Sequence, residues 1–146
     1  MKCEPEIFSI DDLERVGEYF WDGVRNYQVR NMFRDDMKAG DEALFYHSST
    51  KNVGIVGEMK ISKSATPDQT QFDPKSKYFD PKSSKENPRW LGPTVNFRRK
   101  FKNMITLEKI RQDQAFTDLP LVKKGNRLSV MEISKNHYDR LVKFGT

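Results

Sequence analysis

Apolar and polar positions along this chain follow two periods in turn, and each change of period marks an element. Residues 2–5 read as extended. SIDDLERVG then reads as a short helix, with Ser9 at the N-cap, acids in the first turn and Gly17 closing the end. From about Val24, WDGVRNYQVRNMFRDDMKAGD reads as a second helix: Val24, Tyr27 and the run 29–33 share apolar positions, and Gly40 ends it. DEALFYHSS and VGIVGEMKISK carry the aromatic and β-branched residues of strands. SSTKN between them is a turn, so the pair predicts an antiparallel hairpin. RWLGPTVNFRRKF alternates as a strand interrupted at Gly92-Pro93, Thr106 caps a short helix TLEKIRQDQAF, LSVMEI is a strand, and SKNHYDRLVKF is a capped terminal helix. Strands near 42–48, 54–62, 90–99 and 128–133 are expected to share one curved sheet. Short strands and helices without regular βαβ alternation place the chain in the α+β class, built around a small barrel.

Residues 64–88 break both periods and read as a loop. Phe-Asp-Pro-Lys-Ser occurs there twice, at 72–76 and 79–83. Two short copies make no solenoid. Each Asp-Pro is explained locally, as an aspartate cap followed by proline at the first position of a turn. A long loop carrying its own aromatics has the character of a functional lid.

Composition narrows the picture. The 146 residues predict one domain, 1–146, and the 36% hydrophobic and 32% charged content predicts a modest core. With 12% aromatics the chain is too rich for disorder, so some aromatics are available for a binding surface. The formal net charge of +5 fits a polyanionic partner and equally a merely basic soluble protein. The single cysteine, Cys3, rules out an intramolecular disulfide and makes a cysteine-based metal site untenable. No apolar run approaches the length of a membrane span, and MKCEPEIFSIDDLE lacks the apolar core of a signal peptide. The expected location is cytoplasmic, or nuclear in a eukaryote.

Catalytic chemistry finds little support. His47 and His137 are the only histidines and belong to no metalloprotease spacing; neither a phosphate-binding GxxxxGK[ST] loop nor a GxGxxG occurs. A Cys3–His47 pair is conceivable, but such lone residues are far more often structural. No enzyme activity, metal or cofactor is expected. Nucleobase binding has more behind it, because an unstacked base needs aromatic faces and fixed polar groups that read its edge. Trp21, Tyr27, Tyr46, Phe72, Tyr78, Phe79 and Trp90 lie in or beside loops or at element ends, with Asn26, His47, Ser48 and Arg89 close by in sequence. Taken singly, each of these aromatics is as readily a core residue. KKGNR, with Lys123, Lys124 and Arg127 about a glycine turn, is a candidate phosphate contact, whereas RRK at 98–100 reads as a solvated strand face.

The segments KCEP, WDGVRNYQVRN, FYHSS, GIVGE, FDPKSKYFDPKSS, NPRW and LVKKGNRLSV occur in an order that closely resembles the EVE domain family. The resemblance spans essentially the whole chain, and WDGVRNYQVRN and KGNRLSV are its most specific parts. It implies a PUA-like fold, an open β-barrel of five to six mostly antiparallel strands with flanking helices, related to the YTH readers of methylated adenine. It further implies a pocket for a modified base in DNA or RNA. Trp21 would be an aromatic wall with Asn26 and Tyr27 beside it; Trp90 is a candidate for the same lining on its aromatic character and loop position alone. Lys2, Cys3, Glu4 and Pro5 would form the floor, with Tyr46, His47 and Ser48 on the adjacent strand. Arg127 and Ser129 would meet the nucleic-acid backbone, with Lys123 and Lys124. Two departures stand out: Met1 directly precedes Lys2, where the family has an aromatic-apolar stretch, and Cys3 replaces a serine, a thiol being the weaker hydrogen-bond partner.

Two other classes compete with a base reader: an enzyme on a nucleotide or modified base, with His47 and Glu4 as acid–base groups, and a protein–protein adaptor with a vestigial pocket. Trp21 precedes Asp22-Gly23, a turn signal at a helix entry, so its indole is expected to line a concave pocket with one face open.

Overall fold

Local capping sets the helices. In the computed structural model, which describes residues 1–146, helix α1 (Ile10–Val16) begins at Ser9. The Ser9 hydroxyl accepts from the Asp12 N–H while the Asp12 carboxylate accepts from the Ser9 N–H, at 3.1 and 2.9 Å. Gly17, at φ +80°, ends α1 as expected. Helix α2 covers Tyr27–Asp35, shorter at both ends than the run from Val24 to Gly40. Asn26 causes the late start: its side chain accepts from the Val29 N–H at 3.0 Å, and a capping residue lies outside the helix it caps. Helix α3 (Leu107–Gln112) is capped by Thr106 and gives way to a single 3-10 turn at Gln114–Phe116; helix α4 (Lys135–Gly145) is capped by Ser134.

Five strands form one mixed, open sheet: β1 (Lys2–Cys3), β2 (Glu18–Phe20), β3 (Glu42–His47), β4 (Gly54–Pro67) and β5 (Leu91–Thr106), in the order β1-β3-β4-β5-β2. β1 runs parallel to β3, with Lys2 opposite Tyr46 and Cys3 opposite His47; β2 runs antiparallel to β5. This is the α+β open-barrel class expected, with three of the four expected strands in one sheet. The fourth is corrected: residues 128–133 form no strand. Ser129 accepts one hydrogen bond from the Lys2 N–H at 2.8 Å, and the side chain of Asn126, bonded to the Pro120 carbonyl and the Leu128 N–H, turns the chain instead. Buried Val130 anchors the segment through its side chain, which needs no ladder. β2 was not anticipated, being three residues wedged between two helical patterns.

Backbone contacts divide the chain into two units. The first comprises Met1–Gly17, Glu42–Met59 and Phe97–Thr146; the second comprises Glu18–Asp41 and Lys60–Asn96. The first holds a continuous core that includes Leu44, Ile55, Phe101, Ile110, Phe116 and Leu141. Each such buried side chain contributes about 1.5–3 kcal/mol from removed apolar surface. Within it the buried Glu58 carboxylate receives the Tyr138 hydroxyl at 2.8 Å and an ion pair from Arg99, the partners a buried charge requires. The second unit buries Trp21, Val29, Phe33, Ile61, Trp90 and Val95. No helix is long and apolar enough to cross a membrane.

Candidate nucleic-acid interface

In the second unit, the WDGVRN loop is bolted to residues 68–90 by one guanidinium. All five Arg25 N–H donors are used: Nη1 on Asp68 and the Val24 carbonyl, Nη2 on Thr70 and the Tyr78 carbonyl, Nε on the Tyr78 carbonyl, at 2.8–3.1 Å. Asp68 also accepts from the Gly23 N–H and from the Thr70 N–H and hydroxyl. Burial pushes the Asp68 pKa up, but these donors outweigh it and hold the carboxyl below its usual range. Gly23 sits at φ +80° against Tyr78, where an added Cβ would lie 2.6 Å from the ring, so only glycine fits.

The loop 68–90 is a hydrogen-bonded framework. Buried Gln71 donates to the Asp68 and Trp90 carbonyls and accepts from Ser83, Arg89 and Trp90. The two FDPKS copies fold alike: Asp73 accepts from the Lys75 N–H, and Asp80 from the Lys82 N–H, each at 2.9 Å. Both are the aspartate-capped turns read from the sequence. Asp80 also receives the Trp90 indole N–H at 2.7 Å, the main reason its pKa is lowered, with Arg89 3.8 Å away.

Aromatics stack on this framework. Tyr27, half exposed, lies 4.7 Å from Trp90 at 30°, and Arg30 lies 4.7 Å from the Tyr27 centroid. Phe79 is exposed, and Tyr78 carries Arg25 and Lys77 near its ring. Trp21 departs from expectation: it is only 4% exposed, with its ring T-shaped to that of Tyr19 and its backbone N–H on the Pro93 carbonyl. The turn signal after Trp21 was real, but the chain before it pairs as β2 and carries the indole inward. Asn26 serves as the α2 cap. Asp22 accepts from the Tyr19 hydroxyl at 3.0 Å; burial raises its pKa, Tyr19 opposes this, and neighbouring Asp68 adds to the rise.

The first unit holds the remaining candidates. Lys2 lies 5.7 Å from the Tyr46 centroid and its pKa is lowered by burial, while Tyr46 itself belongs to the core. Cys3 directs its thiol to the Glu4 carbonyl at 3.7 Å; Glu4 is exposed and Pro5 follows in a turn. His47 Nε2 accepts from the Ile10 N–H at 3.1 Å, satisfying the first donor of α1, and burial lowers the pKa of the ring. The Ser48 N–H donates to the Cys3 carbonyl. Lys123, Lys124 and Arg127 flank Gly125 at φ +82°, all three exposed and without an ion-pair partner. RRK differs: Arg98, Arg99 and Lys100 pair with Glu42, Glu58 and Asp11.

Residues 1–144 match the EVE domain family. The chain belongs to it. A structure from Pseudomonas syringae superposes with a TM-score of 0.96 at 45% identity, covering 100% of this chain and 97% of that one. Human THYN1 in complex with 5-methylcytosine-containing DNA gives 0.89 at 40% identity, covering 99% and 95%. Mouse thymocyte nuclear protein 1 is 42% identical over 95% of this chain and 69% of its own length. The chain spans only half of the chicken protein, to which it is 48% identical over 76% of this chain. Sequence reasoning missed Arg25, Asp68, Gln71, Asp80 and Asp22. Arg25 and Asp22 stood inside WDGVRN and Asp80 in the second repeat, whereas nothing local marked Asp68 or Gln71.

Proposed function

We propose that this chain is a single, non-catalytic nucleic-acid-binding domain that recognises a modified nucleobase with aromatic side chains and contacts phosphates with a basic turn. The observation that carries this reading is the 40% identity, over 99% of the chain, to human THYN1 solved with 5-methylcytosine-containing DNA. Two features support it. Tyr27 presents half its surface, with its ring against Trp90 and the Arg30 guanidinium over it, an aromatic and cationic patch suited to nucleic acid. Lys123, Lys124 and Arg127 are charges the fold leaves unneutralised, beside a glycine that admits close approach. The reading assigns base stacking to Tyr27 and Trp90 of the second unit, and phosphate contact to Lys123, Lys124 and Arg127 of the first. His47 is a helix-capping acceptor in it, which favours binding over acid–base chemistry. The partner is DNA or RNA, met in the cytoplasm or nucleus.

Fluorescence anisotropy with oligonucleotides carrying cytosine or 5-methylcytosine at one position tests this. Tighter binding of the modified strand, weakened by salt, is the expected result. Equal affinity for both strands refutes the reading of a modified base, and no binding refutes the whole.

A further inference from the structure

Polar capacity around Trp21 is nearly all committed. The Trp21 backbone N–H is bonded to the Pro93 carbonyl, the Gly23 N–H to Asp68, the Asp68 carboxylate to Arg25 and Thr70, and every Arg25 donor is occupied. Asp22 is the exception. Its half-buried carboxylate accepts from the Tyr19 hydroxyl and has no ion-pair partner, although a carboxylate offers about four acceptor sites. Tyr19 in turn packs at right angles to the Trp21 ring, with centroids 6.2 Å apart, so the carboxylate is held beside that aromatic pair. Arg25 lies near enough to favour the charge but has committed every donor to other partners, so the half-buried Asp22 carboxylate keeps unused acceptor capacity that a ligand donor can fill.

The geometry points to Asp22 as the specificity-determining residue that reads the base edge, accepting a hydrogen bond from an exocyclic amino group. This rests on the base-reading function proposed above and names its chemistry. An ionised carboxylate only accepts, so it welcomes the N4 amine of a cytosine-type base and repels the O4 carbonyl at the same place in thymine. 5-Methylcytosine and thymine share ring size and the 5-methyl group, so aromatic stacking and shape cannot separate them. A fixed acceptor can.

The test uses the full chain and single-stranded oligonucleotides identical except for 5-methylcytosine or thymine at one position. The expected wild-type preference for 5-methylcytosine is about tenfold or more. Asp22→Asn keeps the volume and an acceptor for Tyr19 but adds a donor for O4, so the preference should fall to about twofold or less. Tyr19→Phe removes the supporting hydroxyl and leaves the carboxylate, so it should retain most of the preference. Equal wild-type affinity for the two strands overturns the inference without touching base binding. So does an unchanged ratio in a folded Asp22→Asn protein, or a Tyr19→Phe protein that loses the ratio as fully. Should the wild type bind neither strand, the functional reading itself fails, and the inference with it.

Discussion

The Arg25 framework of the second unit and the basic turn of the first use the same chemistry to opposite ends. Arg25 spends five donors inside the protein, on a carboxylate that is 1% exposed and on the carbonyls of two loops. Lys123, Lys124 and Arg127 stand in solvent with no acidic partner. A cation held by the fold is lost to a ligand, and a cation the fold ignores contributes little stability and remains available for phosphate. RRK at 98–100 repeats the lesson within the first unit, since its three charges all meet acids. Charge runs that look alike in sequence thus divide by whether tertiary structure supplies a counter-charge.

The sharpest way to break this contrast is to remove the guanidinium. Arg25→Ala leaves Asp68 buried and unpaired, and should cost about 3–5 kcal/mol by chemical denaturation. The acid limb should respond as well. The Asp68 pKa is lowered in the folded state, so its contribution is fully present above the ordinary carboxylate pKa and is lost as pH falls through the lower, folded value. Asp68→Asn should therefore flatten the loss of stability below about pH 4. A wild-type acid limb in Asp68→Asn would mean that the framework is not what holds the loop.

Trp21→Ala comes next and bears on what that unit presents to a ligand. At 4% exposure the indole is core, and its removal should lower stability by about 3–5 kcal/mol. A change below about 1 kcal/mol would return Trp21 to the role of an open stacking face. The smallest stability effect belongs to the basic turn. Arg127→Glu should stay within about 0.5 kcal/mol of wild type in thermal unfolding while weakening oligonucleotide binding and reducing the salt slope by about one. A destabilised Arg127→Glu protein would show that this turn, too, is part of the scaffold.

Much of this was legible in the chain because it is local. The Ser9–Asp12 box, the Gly17 stop, the Thr106 and Ser134 caps and the paired turns at Asp73 and Asp80 close over two to four residues, where residue type and spacing decide the geometry. Asn26 was local as well, yet its cap was overlooked because the residue matched a binding motif. The sheet class and three of its long strands followed from β-rich runs between turns. What tertiary structure decided lies at long separation. Arg25 meets Asp68 across 43 residues, His47 caps a helix 37 residues before it, and Tyr138 reaches Glu58 across 80. Burial belongs to the same class: Trp21 faces inward because Phe20 pairs with Thr94, and residues 128–133 form no strand because the Asn126 side chain, bonded to Pro120 and Leu128, turns the chain. The chain by itself determined the caps, turns and element types, since those energies are set by neighbours in sequence. Which charges are consumed and which aromatics are open was decided only when distant segments met, because a charge or a ring has no fixed role until its partner is known.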